Sequence, residues 1–253
     1  MRSALLKSVK ILLLVLLIAL LGPVLVAGSG SIKFGQDWRT ADRSSSGIAP
    51  DPHVEREAVV QVYAARAFNW RGLFAVHTWI ATKEKNAPHY TVHQVLGWRA
   101  WDRLPVVQSA VDLPDRSWYG YTPEVIVDLR GVAAEQAIVA IYQAVADYAY
   151  PYRYTLWPGP NSNTFVAEIG RRVATLQLDL PSTAIGKDFL SDARLIDRAP
   201  SASGYQVSLY GLLGLTLARV EGLEINVLGL NFGINPLTPK IKLPGIGVIG
   251  AEG

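Results

Sequence analysis

The longest apolar run in the chain, "ILLLVLLIALLGPVLVA" from Ile11 to Ala27, shows no polar face at any helical or strand period. It follows a basic leader, "MRSALLKSVK", and at seventeen residues it is at the short end for a membrane span. Gly22-Pro23 weakens a straight helix. "LVAGSGS" offers small residues to a signal peptidase, yet Leu25 fits poorly the small-x-small pattern ahead of a cut after Ala27. Residues 1–30 are therefore read as an uncleaved single-pass anchor. The leader would lie in the cytoplasm and the body on the periplasmic or extracytoplasmic side.

The pattern then changes. Residues 31–54 are polar and broken by Gly and Pro, as expected of a flexible tether. Short runs rich in β-branched and aromatic residues follow, predicting strands near Val59–Ala65, Leu73–Thr82, Tyr90–Trp98 and Pro123–Leu129. Ile138, Ile141, Tyr142, Val145 and Tyr148 recur at steps of three and four, which predicts a helix over 132–149 that Pro151 stops. A second helix is expected over 162–174, with Phe165, Ile169 and Val173 on one face and Glu168 able to pair with Arg171 or Arg172. Residues 55–200 would form the main domain. Residues 201–253 read as a β-rich extension, a hairpin turning near Glu221-Gly222, whose longest apolar run is too short to span a bilayer.

Composition narrows the function. The net charge of +3 comes from Arg2, Lys7 and Lys10, and from residue 31 onward acidic and basic side chains are equal in number. A neutral body without a basic run has no electrostatic footprint for nucleic acid. With no cysteine in the chain, thiol catalysis and cysteine-rich metal sites are excluded.

Four features carry candidate chemistry. "GIGVIG" at 245–250 matches the dinucleotide fingerprint in letters, but the chain ends three residues later, leaving no helix and no acidic partner, so it is set aside. His77 lies in a strand, and "HYTVH" places His89 and His93 four apart on one face of an extended segment, which makes a three-histidine metal site conceivable. Six of the seven tryptophans fall between Trp70 and Trp157, either lining a groove for a glycan or lipid or filling a core and its rim. Finally, Asn161, Ser162, Asn163 and Thr164 stand in a row behind Trp157-Pro158-Gly159-Pro160. Capping a helix needs one such residue. Four make the mouth a candidate ligand site, formed by Trp157, Asn161, Asn163 and Thr164, with Ser162 next to backbone donors that could stabilise an oxyanion.

"AVHTWIA" followed by "NSNTFV" resembles the circularly permuted papain-like proteins, relatives of cell-wall amidases and lecithin-retinol acyltransferases. The resemblance implies His77 as base and Asn161 and Phe165 as matches to an Asn-Cys-x-x-Phe segment, with Ser162 in the cysteine's place. It also implies a polar orienting group on the next strand, with His93 preferred over His89 and Gln94. The anchor, "RSSSGIAP", "WRGLFAVHTWIA", "GPNSNTF" and "GLEINVLGLNFGINP" together resemble an uncharacterised bacterial membrane-associated family, domain of unknown function 3750.

The expected fold is α+β: an antiparallel sheet with packed helices in a permuted papain-like arrangement, one N-terminal transmembrane helix and a C-terminal hairpin. Replacing a thiolate with a hydroxyl removes most of such a site's power. The leading reading is thus a binding or scaffolding module of the cell envelope, meeting an envelope component or protein partner, held to the membrane by residues 11–27 and needing no cofactor. The alternatives are a serine-dependent hydrolase or acyltransferase using Ser162 and His77, and a histidine-ligated metal enzyme.

Overall fold

The computed structural model describes residues 2–250; Met1 and the last three residues of the C-terminal extension lie outside it. Among the described residues the architecture is two antiparallel sheets and three α-helices. The first sheet has the order β4-β3-β2-β1-β5, built from β1 (Val59–Arg66), β2 (Val76–Lys83), β3 (Thr91–Val95), β4 (Val107–Val111) and β5 (Glu124–Arg130). Strand β1, "VVQVYAAR", is buried on both faces and pairs with β2 and β5, which is why it lacks the polar alternation of a half-exposed strand.

The two faces of this sheet differ in what they pack against. Val60, Val62 and Ile80 point to one side, where α2 (Gly131–Ala146) lays down Ala134, Ala137, Ile138 and Ile141, and α3 (Ser162–Arg172) lays down Phe165, Val166 and Ile169. The other side is aromatic: Tyr63, Trp79, Tyr90 and Tyr121 form a second core. Residues 31–54 run past this face and are pinned to it. Asp115 accepts hydrogen bonds from Ser45 Oγ and from the backbone amides of Ile48 and Ala49, and Tyr90 Oη donates to Pro50 O.

The C-terminal region is not a hairpin. Residues 196–250 form a seven-stranded meander, β6 (Ile196–Arg198), β7 (Gly204–Leu209), β8 (Leu213–Ala218), β9 (Gly222–Val227), β10 (Leu230–Asn235), β11 (Lys240–Leu243) and β12 (Gly247–Gly250), each paired with the next. "GIGVIG" is the turn into β12 and β12 itself. The expected hairpin merged pairs of strands because the extra turns, Tyr210-Gly211-Leu212 and Leu228-Gly229, are short turns inside an apolar run, carried by positive-φ residues.

The anchor expectation is also corrected. The first helix, α1, spans Arg2–Gly28, and among the described residues no helix is long and apolar enough to cross a membrane. The single-pass placement with a periplasmic body therefore does not stand. The physical reason is visible at the helix end. Ala19, Gly22, Pro23 and Val26 are buried, and Gly22 sits so close to Pro244 O that a Cβ there would come within 1.9 Å. The last turns of the apolar run pack on protein, shortening a stretch already below the ~20 residues a span needs.

Candidate functional site

The helix mouth is built by its own polar side chains. Asn161 caps α3 by accepting from the amides of Asn163 (2.9 Å) and Thr164 (3.1 Å), while Thr164 Oγ1 accepts from Asn161 N, completing a capping box. The Asn161 amide nitrogen donates to Leu156 O and Ile185 O. Asn163 donates to Val76 O on β2 and to Ile185 O, and accepts from Thr78 Oγ1 at 2.9 Å. Thr164 Oγ1 also donates to Gly186 O. Trp157, ahead of the mouth, donates its indole N–H to Leu228 O at the β9–β10 turn. Three of the four cap-type residues, Asn161, Asn163 and Thr164, are thus accounted for: the mouth is a joint tying strand β2, the 183–189 loop and the second sheet to one helix end. Among the described residues the Ser162 hydroxyl has no hydrogen-bond partner, although the residue is only 7% exposed.

His77 lies on the other side of the sheet. It pairs across β1 with Ala65, on the aromatic face that carries Tyr63 and Trp79, whereas its neighbour Thr78 faces α3. The ring is stacked on Trp118, centroids 3.7 Å apart, with Trp79 behind it at 5.6 Å. Its Nε2 lies 3.3 Å from Gln94 Oε1, which requires that nitrogen to carry the hydrogen. Burial pushes the His77 pKa down to about 3, opposed only by the Gln94 bond. Beside it is a cavity of about 10 Å³, room for a single water, lined by Trp79, Gln94, Arg116 and Trp118.

His93 belongs to the opposite, helix-facing side, opposite Ile80. Both its nitrogens meet hydroxyls, Nδ1 with Ser109 at 2.8 Å and Nε2 with Thr82 at 3.1 Å, and Tyr142 packs edge-on against the ring. Burial lowers its pKa to about 4. His89 is exposed in the β2–β3 turn. The three histidines therefore do not converge, and among the described residues no group of three or more His, Asp or Glu side chains is placed to hold a metal ion. The papain-like arrangement, with the strand histidine facing the helix mouth across one sheet, is not the arrangement found: no hydrogen bond joins His77 to Ser162. The two residues differ in face because strand parity puts His77 with Trp79 and hands the helix the aliphatic side.

A second polar assembly went unforeseen. The inward face of the second sheet carries Gln206, Thr216, Glu224, Asn231 and Lys242, all buried. Gln206 bridges Arg171 of α3 (2.6 Å) and Asp188 (2.6 Å), and Asn231 donates to Asp188 at 2.9 Å. Glu224 is held by Lys187 at 2.5 Å and by Lys242, which also bonds Asp179. Burial alone would raise the Glu224 pKa; the two lysines outweigh it and hold the carboxyl below its usual value. Lys242 is pushed up to about 12, because Glu224 and Asp179 more than offset its own burial. Alternation within "LTL" and "LEINV" was the available signal, but alternation does not say which face is inside.

These features define a two-sheet antiparallel protein whose halves are joined through one buried helix and a layer of hydrogen-bonded polar side chains. The family model described as "Protein of unknown function (DUF3750)" matches residues 57–189, more than half of the chain, and the chain belongs to that family. The matched stretch covers the first sheet, α2, α3 and the loop that carries Lys187 and Asp188. No curated protein and no solved structure matches the chain.

Proposed function

We propose that this protein is a binding or scaffolding module. The observation that carries the reading is the separation of Ser162 and His77 onto opposite faces of the first sheet, each set in a structural assembly: a helix joint in one case, a tryptophan stack in the other. A serine hydroxyl needs a base within hydrogen-bond reach, and the bond to His77 is missing. The surface this reading favours for a partner is the turn at 97–101. There Trp98 continues the His77–Trp118 stack outward and Trp101 is 87% exposed, the kind of large amphipathic ring that anchors protein contacts.

One observation favours a second reading, a serine-dependent hydrolase or acyltransferase: the Ser162 hydroxyl stands without a partner in the first turn of a capped helix, where backbone amides favour negative charge. Fluorophosphonate and acylating probes separate the two. The binding reading predicts no more labelling of the wild-type protein than of Ser162→Ala. Labelling that is lost in both Ser162→Ala and His77→Ala would overturn it.

A further inference from the structure

The second sheet is apolar on the outside. Along β7 to β11 the inward positions hold the polar side chains, and the outward positions hold Val207, Leu215, Leu217, Ile225, Ile234 and Ile241, among others, each between 47% and 68% exposed. The register places these side chains opposite one another: Val207 on Leu215, Leu215 on Ile225 and Ile234 on Ile241, so the face is one continuous wall. An ordinary half-exposed antiparallel sheet puts this face on its core and its polar face in water. Here Arg171, Lys187 and Asp188 claim the polar face, and the aliphatic one is left outward.

We infer that this outer wall is the interface between two copies of the chain. The area fits. The outward side chains together expose on the order of 1,000 Å² per copy, above the ~800 Å² per partner of a standard interface. It also exceeds the few hundred Å² that monomeric proteins leave as a contiguous apolar patch. The chemistry fits as well. The outward positions of β8, β9 and β10 carry no charged side chain, so nothing on them selects an oppositely charged partner or draws the face to an anionic lipid headgroup. A flat aliphatic surface is complementary to itself, and two twisted sheets pack face to face about 10 Å apart around a two-fold axis. The inference stands whether or not Ser162 reacts with anything.

The chain has no cysteine, so single introduced thiols report this face without background. Val207→Cys, Ile225→Cys and Ile241→Cys sample alternate strands across the wall. Treated with a bis-maleimide of about 10 Å reach, matched to the inter-sheet spacing, the full-length chain should give a covalent dimer from at least one of the three. Val139→Cys, 74% exposed on α2, should give none. Adding Leu215→Lys to the reactive variant would bury an unpaired charge and weaken the dimer by roughly a hundredfold or more, abolishing the product at the same concentration. Near-ultraviolet circular dichroism checks that the variant remains folded; Ile225→Lys replaces it if it does not. Crosslinking no greater at the three sheet positions than at Val139 overturns the inference. So does a crosslink that disappears, with the thiol shielded, when phosphatidylcholine vesicles are added, because the wall would then belong to lipid.

Discussion

Lowering the pH from 7 to 4.5 should destabilise this protein chiefly through two histidines. His77 and His93 are buried, and their pKa values are depressed from 6.5 to about 3 and about 4. In the folded protein both stay neutral through most of this range, whereas in the unfolded chain they take up protons below pH 6.5. The unfolded state therefore binds more protons, and stability falls as pH falls, the loss beginning near 6.5 and ending near the folded values. At about pH 4.5, two units below the ordinary value, each histidine accounts for a loss of about 2–3 kcal/mol, or about 5 kcal/mol for the pair. That is a large share of the ~5–15 kcal/mol available to a typical domain. Asp188 and Glu221, whose carboxyls burial pushes up, act with the opposite sign, so the informative quantity is a difference in slope. Urea unfolding followed by tryptophan fluorescence at half-unit steps gives that slope for the wild type and for His77→Gln with His93→Gln. The double variant should lose about 2.7 kcal/mol per pH unit of slope around pH 5.5, two protons' worth. Equal slopes would refute the reasoning, whatever the absolute stabilities.

The helix mouth and the polar layer give sharper contrasts by substitution. Asn161→Ala removes a capping box and two further amide bonds and should cost about 2 kcal/mol or more, whereas Ser162→Ala, which removes no hydrogen bond, should stay within about 0.5 kcal/mol by thermal melting. Equal costs would mean the mouth is held differently. Gly186→Ala should destabilise by more than about 1 kcal/mol, because its φ is +105° and the new Cβ would come within 2.4 Å of the Asn161 side chain; a neutral result in urea unfolding counts against that packing. Glu224→Gln leaves Lys187 and Lys242 without their shared carboxylate in a buried site and should cost about 3–5 kcal/mol, read as the shift in urea midpoint.

Local elements were largely legible because each has a one-dimensional signature. The run Val59 to Ala65 lies in β1, the three- and four-residue steps of Ile138 and Ile141 lie in α2, and the cap-type residues behind Gly159-Pro160 do begin a helix. Turns within apolar runs were not legible. Tyr210 and Leu228 reach positive φ in spite of their side chains, and nothing in "LYGLLGLTL" beyond two glycines marks a reversal. Strand β4 escaped notice because Gln108 and Ser109 make it look polar, although it completes an edge by pairing with β3. The same reasoning led the apolar N-terminal run to be read by composition alone. Its outcome depended on a contact with Pro244 and Gly245, more than two hundred residues away.

The candidate site shows where a linear reading stops in a different way. The parity of "AVHTWIA" already separates His77 and Trp79 from Thr78 and Ile80, so the two faces were readable; which face receives the helix was not. Packing decides that, and the apolar side chains of α3, Phe165, Val166 and Ile169, share a core with Val60, Val62 and Ile80 and not with the rings of Tyr63 and Trp79. Once that choice is made, His77 is committed to the tryptophan stack and Ser162 to the joint. The second sheet repeats the lesson with the sign reversed. Its alternation was plain, but the usual rule that apolar side chains turn inward fails. Arg171, Lys187 and Asp188, carried on the helix and the loop that precede the sheet, satisfy the polar face at hydrogen-bond distance. A buried polar layer of this kind contributes little net stability against an apolar one of the same shape. The hydrophobic driving force that the sheet does not spend on its own molecule remains on its outer wall, and a second copy is the partner that can take it up without meeting an unpaired charge.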